Sequence, residues 1–247
     1  RRLGSASPFR LVRSSPTGKT VAVVHDAHCH LINVDTGDEV KTDAVSGSHI
    51  CSIAFSPDGR WLAAGGWGRY EVKIWAASDG QRVHTITNVA SPRVCFSPNG
   101  QWLLVGDEDD SILCEAGSWT AIRRIPHDSL GVSGFCPATG TLAVRETKPT
   151  VRLLDPATGE TLALLEPPGM EHVSELFFSP DGARLAATRR GAHDVLLWDI
   201  RAIRAELKRM KLDWAGPALP PAPAPQFRGT NFILETASQT VGPGRSP

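Results

Sequence analysis

Four residues within six positions, His25, His28, Cys29 and His30, form the densest set in the sequence that could hold a metal. Imidazole nitrogen and thiolate suit zinc, and a strand would turn His28 and His30 to the same side. Oxygens for a harder ion are offered by Asp107, Glu108, Asp109 and Asp110, but no ligand loop of known spacing surrounds them. Gly18-Lys19-Thr20 has the ending of a phosphate-binding loop. That loop needs a glycine five residues before Gly18, and Arg13 stands there. The sequence carries neither a Gly-x-Ser-x-Gly elbow nor a His-Glu-x-x-His pair. The five cysteines are odd in number and fall at non-equivalent positions, which predicts reduced thiols in a cytoplasmic protein rather than a disulfide framework.

Bulk composition narrows the partners. The 26 basic and 26 acidic residues cancel, which excludes the overall basic surface that drives non-specific nucleic-acid binding. Apolar runs such as Val21 to Val24 fall far short of the ~20 residues of a membrane helix. The chain opens Arg1-Arg2-Leu3 without methionine, so a preceding segment is expected. With 41% apolar residues the chain can bury a core, and 23 Gly with 19 Pro predict many turns and short strands.

The elements that position these residues repeat. Phe55-Ser56-Pro57-Asp58-Gly59 returns as Phe96-Ser97-Pro98-Asn99-Gly100 and as Phe178-Ser179-Pro180-Asp181-Gly182. Weaker copies are Ser14-Ser15-Pro16-Thr17-Gly18 and Phe135-Cys136-Pro137-Ala138-Thr139, so the prolines recur every 39 to 43 residues. Each copy predicts a short strand into the Phe, then a turn in which Pro presets φ and Gly accepts a positive one. A second strand follows (Trp61 to Ala64, Trp102 to Val105, Arg184 to Ala187), then a polar loop and a third strand (Val72 to Trp75, Val151 to Leu154, Val195 to Trp198). A fourth apolar stretch, as in Thr161 to Leu165, completes four antiparallel strands. In this register Cys29 falls with Val72, Val151 and Val195 at a core position, and His30 with Lys73 and Arg152 at a polar one. The histidine cluster therefore reads as structural, no metal or cofactor is expected, and the acidic run becomes a loop between second and third strands.

The period, the Phe-Ser-Pro-Asp-Gly turn and Trp198-Asp199 resemble the WD-repeat family of β-propellers, particularly its bacterial members, over residues 9–199. The resemblance implies an all-β propeller of four-stranded antiparallel blades with about five repeats present. Asn33, Ala76, Glu115 and Asp155 stand where the family's Trp-Asp aspartate falls. Its Gly-His pair is absent, with Pro126-His127 only an approximation. The family's buried polar network is therefore expected to be incomplete, leaving strand packing to stabilise the blades. Propellers typically have 4–8 blades and rings of the resembled family commonly seven, and residues 1–8 leave little material for a closing strand, so five units predict an open array or a ring whose upstream blades are missing. A closed five-blade ring is the alternative.

Residues 1–8 read as an N-terminal remnant. Ile200 to Trp214 reads as an amphipathic helix with Asp199 as its cap and Arg201, Arg204, Lys208, Arg209 and Lys211 on the other faces. Residues 215–247 read as a Pro-rich linker and disordered tail. The resemblance implies a non-catalytic scaffold for other proteins or peptides, with no nucleic acid and no membrane, contacting them through variable loops on one face. Trp67, Arg69, Tyr70, Asp107, Arg189 and Arg190 are the candidate contacts, since Trp, Tyr and Arg are enriched in interface hot spots. Two alternatives stand: a regulatory or sensory module joined to an upstream domain of a larger signalling protein such as a serine/threonine kinase, and a propeller hydrolase with carboxylates lining its channel.

Overall fold

The computed structural model describes residues 11–25, 27–45, 49–67, 70–90, 92–107, 110–127, 133–146, 150–167, 173–189 and 194–221. Five antiparallel sheets follow one another along the chain. The first holds β1 (Leu11–Ser14), β2 (Thr20–His25), β3 (His28–Asn33) and β4 (Glu39–Lys41). The second holds β5 (His49–Phe55), β6 (Trp61–Trp67), β7 (Glu71–Ala76) and β8 (Arg82–Thr87). In the third are β9 (Arg93–Phe96), β10 (Trp102–Gly106), β11 (Asp110–Glu115) and β12 (Ala121–Pro126). The fourth contains β13 (Ser133–Phe135), β14 (Leu142–Arg145), β15 (Val151–Leu154) and β16 (Thr161–Leu165). Among the described residues the last sheet has three strands, β17 (Val173–Phe178), β18 (Arg184–Arg189) and β19 (Val195–Asp199), and leads directly into helix α1 (Ile200–Arg209).

The repeated turn has one chemistry. Ser56 Oγ accepts from Trp61 N at 2.9 Å and donates to Asp58 at 2.6 Å, while Gly59 N donates to Ser56 O. Ser97 with Asn99, and Ser179 with Asp181, make the same bonds. The glycine that ends each of these turns sits at positive φ, 73° at Gly59 and 68° at Gly182, which a side chain would strain. In the fourth sheet Cys136 replaces the serine and is buried, and Thr139 pairs with Thr141 instead.

Packing between sheets makes the core. The innermost strands lie side by side in sequence order, β1 on β5, β5 on β9, β9 on β13 and β13 on β17. Each seam holds one apolar cluster, such as Ala22, Leu31, Ile53, Leu62 and Trp75 between the first two sheets. Fully burying such aliphatic side chains stabilises by roughly 1.5–3 kcal/mol each. Among the described residues no contact of comparable extent joins the last sheet to the first.

Asp199 caps α1 as its sequence position suggests, accepting from Ala202 N at 2.8 Å. The helix is shorter than its apolar spacing predicts. It closes at Met210, and Lys211 turns left-handed at φ 61°, which takes Trp214 off the helix. Two helix arginines are tied down instead of facing solvent. Arg204 pairs with Asp213 and donates to Pro217 O at 2.7 Å, and Arg201 donates to Pro220 O at 2.8 Å. Residues 212–221 thus form a strap, with Ile200, Ile203, Trp214 and Leu219 packed on the seam between the last two sheets. The expected N-terminal remnant over 1–8 and residues 222–247 of the expected linker and tail lie outside the described residues.

Candidate protein-interaction face

Loops from different sheets share a face only if their sheets point the same way. Cys51 Sγ lies 3.3 Å from Pro92 O, and Val94 N donates to Ser52 Oγ at 3.0 Å. Residue number rises together along β5 and β9, so these innermost strands run parallel. The repeat then sets the loops between second and third strands at one end, and the Ser-Pro-Asp-Gly turns at the other.

Tyr70 is the most informative of the expected contacts. It is 59% exposed and left-handed at φ 52°, with its carbonyl accepting from Val89 N at 3.1 Å. The backbone is thus pinned while the ring faces solvent. Trp67 ends β6 opposite His49, and its side chain lies outside the described residues, as do Arg69 and Arg190. Asp107 N donates to Asp110 O at 2.7 Å, closing the acidic loop. Arg124 pairs with Asp110 at 2.7 Å, and that hydrogen bond, with the charges of Asp110 and Asp107, raises the arginine's pKa. Arg189 Nε donates to Asp194 at 2.9 Å, so its charge is engaged within its own sheet. That hydrogen bond holds Asp194 below the usual carboxylate range.

A polar cluster that spacing did not reveal ties the first two sheets together. Asp43, in the segment after β4, accepts from Trp75 Nε1, from Lys73 Nζ at 3.1 Å and from Arg82 at 2.8 Å. Lys73, almost fully buried, also donates to Ala44 O and lies 3.8 Å from Glu71. Burial alone would raise the Asp43 carboxyl, but the hydrogen bonds from Trp75 and Lys73 and the charges of Lys73 and Arg82 hold it below its ordinary value. A depressed folded-state pKa contributes stability above the unfolded value, and that stability is lost as pH falls through the folded one. Acid unfolding is therefore expected to steepen below about pH 4, near the unperturbed Asp value. Asp43→Asn should flatten that limb in a pH series of thermal melts.

The later blades use different polar pairs. Buried Ser111 bonds His127 Nε2 at 2.9 Å, placing the approximate Pro126-His127 pair in a structural role. Arg152 pairs with Glu146 and donates to Pro126 O at 3.1 Å, and Arg145 donates to Val173 O at 2.7 Å across to the last sheet. Strand packing is thus supplemented by polar contacts within and between blades, through residues that change from one unit to the next.

The histidine cluster is occupied by the fold. His28 Nδ1 lies 2.9 Å from Thr42 O, and His30 Nδ1 lies 2.5 Å from Glu39. Cys29 is buried, and burial pushes its thiol up to about 12 and that of Cys114 to about 11, so neither is a thiolate nucleophile. Among the described residues no group of three His, Cys, Asp or Glu side chains could hold a metal ion. No helix among them is long and apolar enough to cross a membrane. On the turn face, a groove of about 170 Å³ runs between Trp102, Asp155, Arg204 and Trp214, below the ~300 Å³ at which ligand pockets begin.

The family model "WD domain, G-beta repeat" matches residues 40–75 and 80–114. Each match starts at the fourth strand of one sheet and ends in the third strand of the next, β4 to β7 and β8 to β11. No curated protein matches the chain. Among solved structures, the β-propeller domain of Myceliophteria thermophila Cps50 (Swd1) superposes with a TM-score of 0.59 at 17% identity, over 74% of this chain and 62% of that one. Kuenenia stuttgartiensis hydrazine synthase superposes with a TM-score of 0.60 at 17% identity, over 72% of this chain and 54% of that one. The chain thus spans less than two thirds of the length of either. At that identity the likeness concerns fold alone. Two units in register with the repeat model, and five sheets built to one plan that superpose on a propeller, lead to one assignment: the chain carries WD repeats in a β-propeller fold.

Proposed function

We propose that the chain is a non-catalytic scaffold that presents the loops between its second and third strands to proteins or peptides. WD-repeat propellers typically serve as protein-interaction scaffolds, and the finer assignment concerns which residues make contact here. The observation that carries it is Tyr70, an exposed aromatic ring on a pinned, left-handed backbone at the loop face. Aromatic side chains on rigid supports anchor interfaces because little conformational entropy is lost when they are covered. Trp67, Arg69 and Tyr70 form the centre of the proposed contact, with Asp107, Arg189 and Arg190 at its margin. Residues 9–199 constitute the scaffold, α1 and the strap brace its last blade, and five cysteines outside any disulfide suit a reducing cytoplasm.

The test compares wild-type protein with Tyr70→Ala. Exposure predicts an unchanged melting temperature, and a hot-spot role predicts a loss of about 2 kcal/mol, roughly thirtyfold in Kd, for a partner identified by affinity capture and titrated as purified protein. Wild-type affinity in both Tyr70→Ala and the Trp67→Ala, Tyr70→Ala double variant would remove the loop-face assignment.

A further inference from the structure

The first four blades each end on an outer strand, β4, β8, β12 or β16, whose far edge has no neighbouring strand among the described residues. Such an edge offers unpaired backbone N–H and C=O groups to any extended chain, and proteins blunt it with charges. Strand register shows how each blade does so. Opposite the equivalent third-strand residues His30, Lys73, Ile112 and Arg152 stand Lys41, Thr85, Arg124 and Leu164. One position earlier come Val40, His84, Arg123 and Ala163. Three edges thus carry a polar or charged side chain at these positions. The fourth carries Ala163 and Leu164, and Thr161–Leu165 contains no ionisable group at all.

Leu164 is 59% exposed, so burial within the blade does not account for its apolar character. Ala163 and Leu165 pack inward with Leu153 and Leu176, which fixes the strand while its edge stays open. Charge gathers at the two ends instead. Glu160 and Glu166 are both exposed and bracket the strand, and among the described residues neither is paired. Arg152, opposite Leu164, is held by Glu146 and does not offset them. The fourth blade has a neighbour on either side, so this edge belongs to the interior of the array rather than to its ends.

A second copy of the same strand is a poor match. Antiparallel self-pairing would set Glu160 against Glu166 at both ends, and like charges directly opposite one another destabilise. A segment with Lys or Arg at each end of a short uncharged run meets the two glutamates favourably. We propose that the outer edge of β16 takes up such a basic-flanked partner peptide as a fifth, antiparallel strand. Its main chain bonds to Thr161–Leu165, and its terminal cations lie opposite Glu160 and Glu166. The surface uses none of the loop-face residues, so the two assignments stand or fall separately.

The probe is a fluorescein-labelled, amidated heptapeptide, Lys-Thr-Val-Thr-Val-Thr-Lys, compared with the same peptide carrying Glu at both ends. Fluorescence anisotropy with the full chain at low salt should show saturable binding of the Lys peptide, about tenfold tighter than the Glu peptide. The Glu160→Lys, Glu166→Lys double variant should invert that order. Leu164→Lys, which supplies the charge that β4 carries at this position, should abolish binding of the Lys peptide at an unchanged melting temperature. Amide hydrogen exchange over 161–165 should slow when the Lys peptide binds. Equal affinity for the two peptides, no saturable binding, binding that survives Leu164→Lys, or protection confined to other strands would each overturn the proposal.

Discussion

Trp75→Ala is expected to lower the free energy of unfolding by about 3–5 kcal/mol, the range for removing a buried Trp or Phe. The indole is fully covered and packs with Ala22, Leu31, Ile53 and Leu62 in the seam between the first two blades. Its Nε1 also donates to Asp43, which holds Lys73 and Arg82. Truncation therefore opens a cavity and removes one donor from a partly buried carboxylate. Trp75→Phe separates the two contributions, keeping most of the volume and losing the hydrogen bond, for about 0.5–1.5 kcal/mol. Urea titrations followed by far-UV circular dichroism give both numbers. A cost below about 1 kcal/mol for the alanine variant, beneath the cavity range, would show that this seam does not stabilise the fold.

Gly65→Ala should be the next most damaging change, at about 1–3 kcal/mol for an overpacked interior. A Cβ on Gly65 would stand 2.7 Å from both Cγ and the carbonyl oxygen of Pro92, which belongs to the next blade's approach. Neither atom can swing aside, because one is in a ring and the other is backbone. The strain must widen the seam that holds Ala63, Ile74, Val94 and Leu103. Gly134→Ala is the matched control, since its Cβ would meet only Leu176 O at 3.9 Å. It is expected to be neutral or slightly stabilising through reduced freedom of the unfolded chain. Equal midpoints for the two variants would contradict the tight approach at Pro92.

Both predictions rest on features of different legibility. The turns could be read directly, because Ser, Pro, Asp and Gly act within five residues and their hydrogen bonds are local. The burial of Cys29 followed from its register with Val72 and Val151. Trp75 could be placed on a third strand, but its link to Asp43 spans 32 residues across two blades, and nothing near Asp43 distinguishes it from a loop aspartate. Lys73 likewise reads as a polar strand residue until the segment after β4 supplies its partners. The helix end and strap escaped for another reason. Proline lacks an N–H, so the Pro-rich stretch reads as unstructured, yet its carbonyls remain acceptors for Arg201 and Arg204. At the loop face, Tyr70 is exposed on a left-handed backbone, a conformation its neighbours in sequence do not announce. The engagement of Arg189 by Asp194 depends on a loop conformation that composition does not specify.

The strap also determines how the last blade meets mechanical load. A pull transmitted through the residues after Pro221 first reaches the carbonyls of Pro220 and Pro217, each gripped by a helix arginine, and the apolar anchor of Trp214 and Leu219. These attachments share tension side by side, whereas hydrogen bonds at a bare strand border would yield one after another like a zip. The three-stranded sheet is thereby insulated from tugging at its tail, and β19 should unpeel only after the strap has sheared away.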